Sequence, residues 1–179
     1  MTSDGRRGEL PRSELPRSEL PRPAALDRIG PHGTPVLIEA SADELPAIAA
    51  RLGIPAVHAL RCAFKLRRIG GSVIEAQGEL VAGVTQLCVV SLDEFDGTVQ
   101  EAFTVHFVPE GTEDDDPEPD AIDQVPFQGS AIDLGEAAVE QLALALDPYP
   151  RKPGAALPEG AGEPDLGAFA SLGALKGRH

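Results

Sequence analysis

Between residues 60 and 92 the apolar side chains keep to even-numbered positions. Leu60, Cys62, Phe64 and Leu66 alternate with Arg61, Ala63, Lys65 and Arg67; past Gly70-Gly71, Ile74, Ala76, Gly78 and Leu80 alternate with Glu75, Gln77 and Glu79. A period of two puts one set of side chains on one face of a strand, so the segment reads as sheet with one buried and one solvated face. The parity set at Ile74 runs on through Ala82, Val84, Cys88, Val90 and Leu92, with Gln86 as the exception. It predicts a single strand from about 72 to 92, bent near Gly83.

Pairing follows from the same pattern. A two-residue Gly-Gly loop would mix the faces. A three-residue loop, Ile69-Gly70-Gly71, sets Leu66 against Ile74, Phe64 against Ala76, Cys62 against Gly78 and Leu60 against Leu80, with Lys65 facing Glu75 and Arg61 facing Glu79. Asp96-Gly97 is a two-residue hairpin signal that sets Val90 against Phe103, Cys88 against Val105 and Gln86 against Phe107. A long bent strand paired at both ends predicts an α+β fold: a curled antiparallel sheet or open barrel-like meander with two main helices, flanked by flexible tails.

The helices announce themselves by their caps. Ser41-Ala42-Asp43-Glu44 has capping-box spacing and starts a helix that runs to about Leu52, before Gly53 and Pro55. In Asp133-Leu134-Gly135-Glu136, Asp133 caps another and Glu136 completes its capping box, with Leu134, Ala138, Val139, Leu142, Ala145 and Leu146 as its apolar stripe and Pro148 and Pro150 as its stop. A short strand is expected over residues 35–39. The single domain thus spans residues 32–150. Before it, residues 1–31 contain Glu-Leu-Pro-Arg three times at five-residue spacing, which predicts a disordered arm, since proline at every fifth position blocks regular structure. After it, residues 151–179 read as a Pro/Gly linker and a short helix bearing Leu166, Phe169, Leu172 and Leu175.

The formal charge of −14 is concentrated in the middle of the chain: residues 34–150 hold 21 acidic and 5 basic side chains. Such a surface repels a phosphate backbone at long range and attracts basic partners. DNA is not expected as a partner. No apolar run is long enough to span a membrane, and the N-terminus lacks the apolar stretch of a secretory signal, so the expected location is cytoplasmic.

Chemistry-bearing patterns are sparse. His32, His58, His106 and His179 lack metal-ligand spacing, and His106 is expected to be a solvated side chain on the outer face of a strand. Cys62 and Cys88 are too few for a disulfide framework and read as buried apolar residues. Ser91 and Ser130 have no evident base. Neither a metal, nor another cofactor, nor catalysis is expected. Two surfaces stand out. Arg61, Lys65, Arg67 and Arg68 form the one basic cluster of the domain, open to two readings: RNA contact, or ion pairing with Glu75 and Glu79. Residues 110–123 form an exposed acidic loop, whose Asp114, Asp115, Asp116 and Glu118 suit solvent, a basic partner, or, less well for want of calcium-loop spacing, a cation.

Three segments carry a resemblance. Ile132-Asp133-Leu134-Gly135-Glu136, with Glu140-Gln141-Leu142 and Leu146-Asp147-Pro148-Tyr149-Pro150, resembles the C-terminal signature of the YceD family. Gln86 to Leu92 is similar to that family's Cys-centred motif, and Phe103 to Pro109 followed by the acidic loop keeps its order. The resemblance covers about residues 34–153. It implies a non-catalytic ribosome-biogenesis factor supporting 23S rRNA accumulation or processing and large-subunit assembly. Its implied partners are the 23S rRNA precursor or the assembling large subunit, the family's gene often lying beside one for a large-subunit ribosomal protein. An acidic escort for a basic ribosomal protein is the alternative. Cys88, Asp133, Gly135 and Glu136 are motif residues with structural roles. Some relatives add a Cys three residues after the first and another beyond the final prolines, where this chain has Ser91 and, roughly, Gly154; a metal site proposed for such relatives is therefore not expected here.

Overall fold

The computed structural model describes residues 18–112 and 121–156. Three long strands dominate it: β3 (Ala56–Gly70), β4 (Val73–Leu87) and β5 (Glu94–Pro109). With β2 (Thr34–Glu39) and β6 (Asp123–Phe127) they form one sheet in the order β2-β3-β4-β5-β6. The two edge strands do not pair with each other, so the sheet is not closed into a barrel. Every neighbouring pair is antiparallel except β5 and β6, which are parallel. A parallel pair cannot be joined by a tight turn, and β5 ends at Pro109 well before β6 begins at Asp123. Pro126 is tolerated because β6 is an edge strand.

Helix α1 (Leu45–Leu52) packs over β3 and helix α2 (Leu134–Ala145) over β4 and β5, all on one face of the sheet. That face carries the alternating apolar set: Leu60, Phe64, Leu66, Ile74, Leu80, Val105 and Phe107 are buried against Ile48, Val139 and Leu142. Glu44 reaches back to the Ser41 backbone N–H and hydroxyl, 2.8 and 2.9 Å, so the chain is already turned when α1 begins. Pro46 lies in the first helical turn, where no N–H is missed.

The faces agree with the sequence pattern, but both registers differ from expectation. In β3/β4 the pairs are Leu66–Ala76, Phe64–Gly78 and Cys62–Leu80, two residues from the predicted set. The turn is Gly71-Ser72, with Gly71 at φ 50°, and Ile69 is bulged out. In β4/β5 the chain reverses over residues 88–93, and Leu87 pairs with Glu94. Leu92, at φ 60°, makes that turn; Asp96 and Gly97 lie inside β5 opposite Thr85 and Val84. The strand predicted to reach residue 92 therefore ends at Leu87. The shifts set Gly78 between Phe64 and Phe103, whose rings meet edge to face at 5.7 Å. A Cβ on Gly78 would sit 2.2 Å from the Phe103 ring, so the glycine is what admits the aromatic cover.

Residues 18–31 are ordered, contrary to the disordered arm expected there. They contribute β1 (Pro23–Ala25) and one 3₁₀ turn (Leu26–Arg28). β1 pairs antiparallel with β7 (Ala131–Asp133), and Leu20 and Ile29 are buried in the core. The repeats before residue 18, the acidic residues Asp114, Asp115, Asp116 and Glu118, and the predicted terminal helix lie outside the described residues.

Candidate functional site

The predicted basic cluster divides in two, because successive strand residues point to opposite faces. Arg61, Lys65 and Arg67 share the solvated face of β3. Arg61 lies 3.4 Å from Glu39 of β2, and Arg67 donates to Glu75 of β4 at 2.8 Å. Ion pairing is thus realised, but with other partners than expected, since the two-residue shift moves Glu75 from Lys65 to Arg67. Lys65 has no carboxylate partner among the described residues. Arg68 turns the other way. Its guanidinium donates to the carbonyls of Leu26, Ile29 and Gly71, at 2.5, 3.4 and 3.2 Å, and holds the 3₁₀ turn against the sheet. It is committed to the fold and not to the exposed cluster.

A small recess of about 170 Å³ lies beside these cations, lined by His32, Lys65, Arg67, Glu75 and Gln77. Arg67, its strongest partner, holds the Glu75 carboxyl below its ordinary range. His106 is more enclosed than the sequence suggested: its side chain is 22% exposed, with Nε2 3.8 Å from Glu75 and without a hydrogen bond.

Thr85 is a buried polar residue between two exposed ones. Its hydroxyl donates to Asp96 at 2.6 Å, and His58 Nε2 lies 2.7 Å from the same oxygen. The hydroxyl proton is directed at the carboxylate, which leaves His58 to donate and not to abstract. The arrangement ties β3, β4 and β5 together and does not present an activated nucleophile.

Cys88 sits inside the β4–β5 turn with no exposed surface. Its thiol is drawn down to about 6, foremost by the Ser91 hydroxyl, then by the backbone N–H groups of Ser91, Lys152 and Val90. The segment after α2 closes over this turn: Val89 N–H donates to Pro150 O at 2.9 Å, and Lys152 lies 3.3 Å from Asp93. The central motif and the terminal prolines are thus two halves of one knuckle. Its donors are N–H groups, a hydroxyl and an ammonium, and no second thiolate is present. That set does not fit a metal, and no cluster of three metal-ligating side chains occurs among the described residues. Cys62, buried in the core, is pushed up to about 12 by desolvation.

The C-terminal signature has a role beyond capping. Asp133 Oδ1 accepts the N–H groups of Gly135 and Glu136, as predicted for an N-cap, and also that of Arg22 at 2.9 Å. Glu136 does not close a capping box; it pairs with Arg51 of α1. Gly135 lies directly under the backbone of Leu20, where a Cβ would come 1.6 Å from the Leu20 carbonyl oxygen. The signature is therefore a seat for the chain's own residues 18–25. Sequence reading missed Leu20, Arg22, Glu44 and Arg51 as parts of this seat; the one signal for it was a glycine in the first turn of a helix, where it is otherwise unfavourable.

The knuckle and the seat coincide with two of the three segments that carried the sequence resemblance. A family model described as large ribosomal RNA subunit accumulation protein YceD matches residues 76–175. The chain belongs to the YceD family. The match begins within β4 and takes in the knuckle, β6 and the signature at the start of α2. Neither the curated proteins nor the solved structures contain a match to the chain. Membership in the YceD family associates the chain with accumulation of the large ribosomal RNA subunit. No helix among the described residues is long and apolar enough to cross a membrane.

Proposed function

We propose that this protein is a non-catalytic, cytoplasmic ribosome-biogenesis factor that supports 23S rRNA accumulation by holding a basic large-subunit ribosomal protein during assembly. The observation that carries this reading is the neutralisation of the basic cluster in place. Arg61 and Arg67 face Glu39 and Glu75, and Arg68 is spent on backbone carbonyls. A domain with 21 acidic and 5 basic side chains over residues 34–150 then has little with which to grip phosphate and much with which to hold a cationic partner. Asp114, Asp115, Asp116 and Glu118 are assigned to the partner surface.

Crosslinking in cells, with mass spectrometry and sequencing of what is attached, tests the proposal. The expected product is a basic large-subunit protein, lost when those four acids are replaced by Asn and Gln. Recovery of RNA alone would overturn it.

A second reading, direct contact with the 23S rRNA precursor, draws support from Lys65, which has no carboxylate partner among the described residues and lines the same recess as His32. It predicts binding to 23S fragments that falls steeply with salt and weakens in Lys65→Ala. No measurable binding at low salt would rule it out.

A further inference from the structure

Residues 9–22 contain Glu-Leu-Pro-Arg three times, and Ser13–Arg17 is identical to Ser18–Arg22. Only the third copy lies within the described residues, and every side chain of its tetrapeptide except the proline meets a complementary partner. Glu19 pairs with Arg51 at 2.8 Å. Leu20 is completely buried over Gly135. The Arg22 guanidinium grips Glu44 through two parallel bonds of 2.8 and 2.7 Å. The Arg22 backbone is read as well: its N–H donates to Asp133 and its carbonyl accepts the Leu134 N–H at 3.1 Å.

An acid, an apolar residue and a base, spaced around a proline that keeps the backbone extended, are thus each matched by a complementary group on α1 or at the start of α2. We propose that this seat is a recognition site for the Glu-Leu-Pro-Arg sequence, and that the upstream copies are spare ligands that take the seat when the third copy leaves it. The chemistry that recognises Glu19, Leu20 and Arg22 recognises Glu14, Leu15 and Arg17 equally, because the residues are the same. A five-residue slip brings Ser18, Glu19 and Leu20 into the β1 position in place of Pro23, Ala24 and Ala25, and loops out five residues, which costs little chain entropy. The tether keeps the spare copies at high effective concentration, so exchange within one chain outcompetes binding between chains.

The test uses the full chain and equilibrium urea unfolding of four proteins: wild type, Leu20→Ala, the double variant Leu10→Ala/Leu15→Ala, and the triple variant with all three changes. With exchangeable copies the double variant keeps the wild-type midpoint, because the third copy is intact. Leu20→Ala falls slightly, because the second copy replaces the third. The triple variant falls at least about twice as far as Leu20→Ala, or does not fold. If Leu20→Ala falls as far as the triple variant, or is itself unfolded, the seat belongs to the third copy alone and the proposal is wrong. A shifted midpoint in the double variant overturns it as well.

Discussion

Replacing Gly135 with alanine tests the seat most directly. The added Cβ would lie 1.6 Å from the Leu20 carbonyl oxygen and 2.8 Å from its carbon. Both are backbone atoms, so no side-chain rotation relieves the clash, and residues 18–22 must lift away. Lifting them exposes Leu20, about 2–3 kcal/mol, and breaks the charge-assisted bond from Arg22 N–H to Asp133, about 2 kcal/mol. The two ion pairs, formed by partly exposed side chains, add about 1–2 kcal/mol together. Against this, five freed residues regain conformational entropy of order 1 kcal/mol each, and alanine is a better helix former than glycine by about 1 kcal/mol. With the Leu134 N–H also losing its acceptor, about 1–2 kcal/mol, the net loss is on the order of 1–2 kcal/mol. For a domain of this size that lowers the thermal midpoint by roughly 4–10 °C. Calorimetry gives the midpoint, and hydrogen exchange at the Arg22 and Leu134 amides reports the seat itself. A variant with wild-type midpoint and wild-type protection at both amides would refute the reasoning. Because the clash excludes any copy of the repeat, the triple leucine change should add nothing in the Gly135→Ala background.

Other perturbations reach the remaining features. Glu44 is depressed to about 2, first by its bonds to Arg22 and then by the Ser41 backbone; a depressed carboxylate stabilises above its unfolded range near 4.5 and loses that contribution as pH falls through about 2, so protection of the Arg22 amide relative to its intrinsic exchange rate at each pH should fall on acidification over that window, and the fall should vanish in Glu44→Gln. Thiolate absorbance should titrate near 6 for Cys88 and stay absent for Cys62 at neutral pH; a Cys62→Ala protein with no ultraviolet transition below pH 8 would contradict the knuckle geometry. Gly78→Ala drives its Cβ into the Phe103 ring and should cost about 1 kcal/mol in urea unfolding, the scale of an aromatic pair, with the loss abolished when Phe103 is already Leu. Arg68→Met removes the donor to three carbonyls and should destabilise by about 2–3 kcal/mol while leaving any RNA binding unchanged; reduced RNA affinity would return Arg68 to the exposed cluster.

The alternation of apolar side chains determined, without help from the rest of the chain, which face of each long strand is buried. Leu60, Phe64, Ile74, Leu80 and Phe107 all point inward as the parity requires. The cap at Asp133 likewise marked the start of α2, because capping is a contact between near neighbours; at Ser41 the expected cap is a turn held by Glu44, and α1 begins only at Leu45. Register was beyond the pattern's reach. A period of two is unchanged by any even slip, so the true pairings, displaced by two residues in one hairpin and by twelve in the other, satisfy it as well as the predicted ones did. What selects among them is three-dimensional: the left-handed residues Gly71 and Leu92 at the turns, and two aromatic rings that must meet over Gly78. Partners of charge followed register, which is why Glu75 serves Arg67 and Glu39 serves Arg61. The seat was the least legible. Nothing local buries Leu20 or orders a proline-punctuated repeat; that is decided more than a hundred residues later, where Gly135 leaves room for the repeat's backbone and Asp133 accepts its N–H.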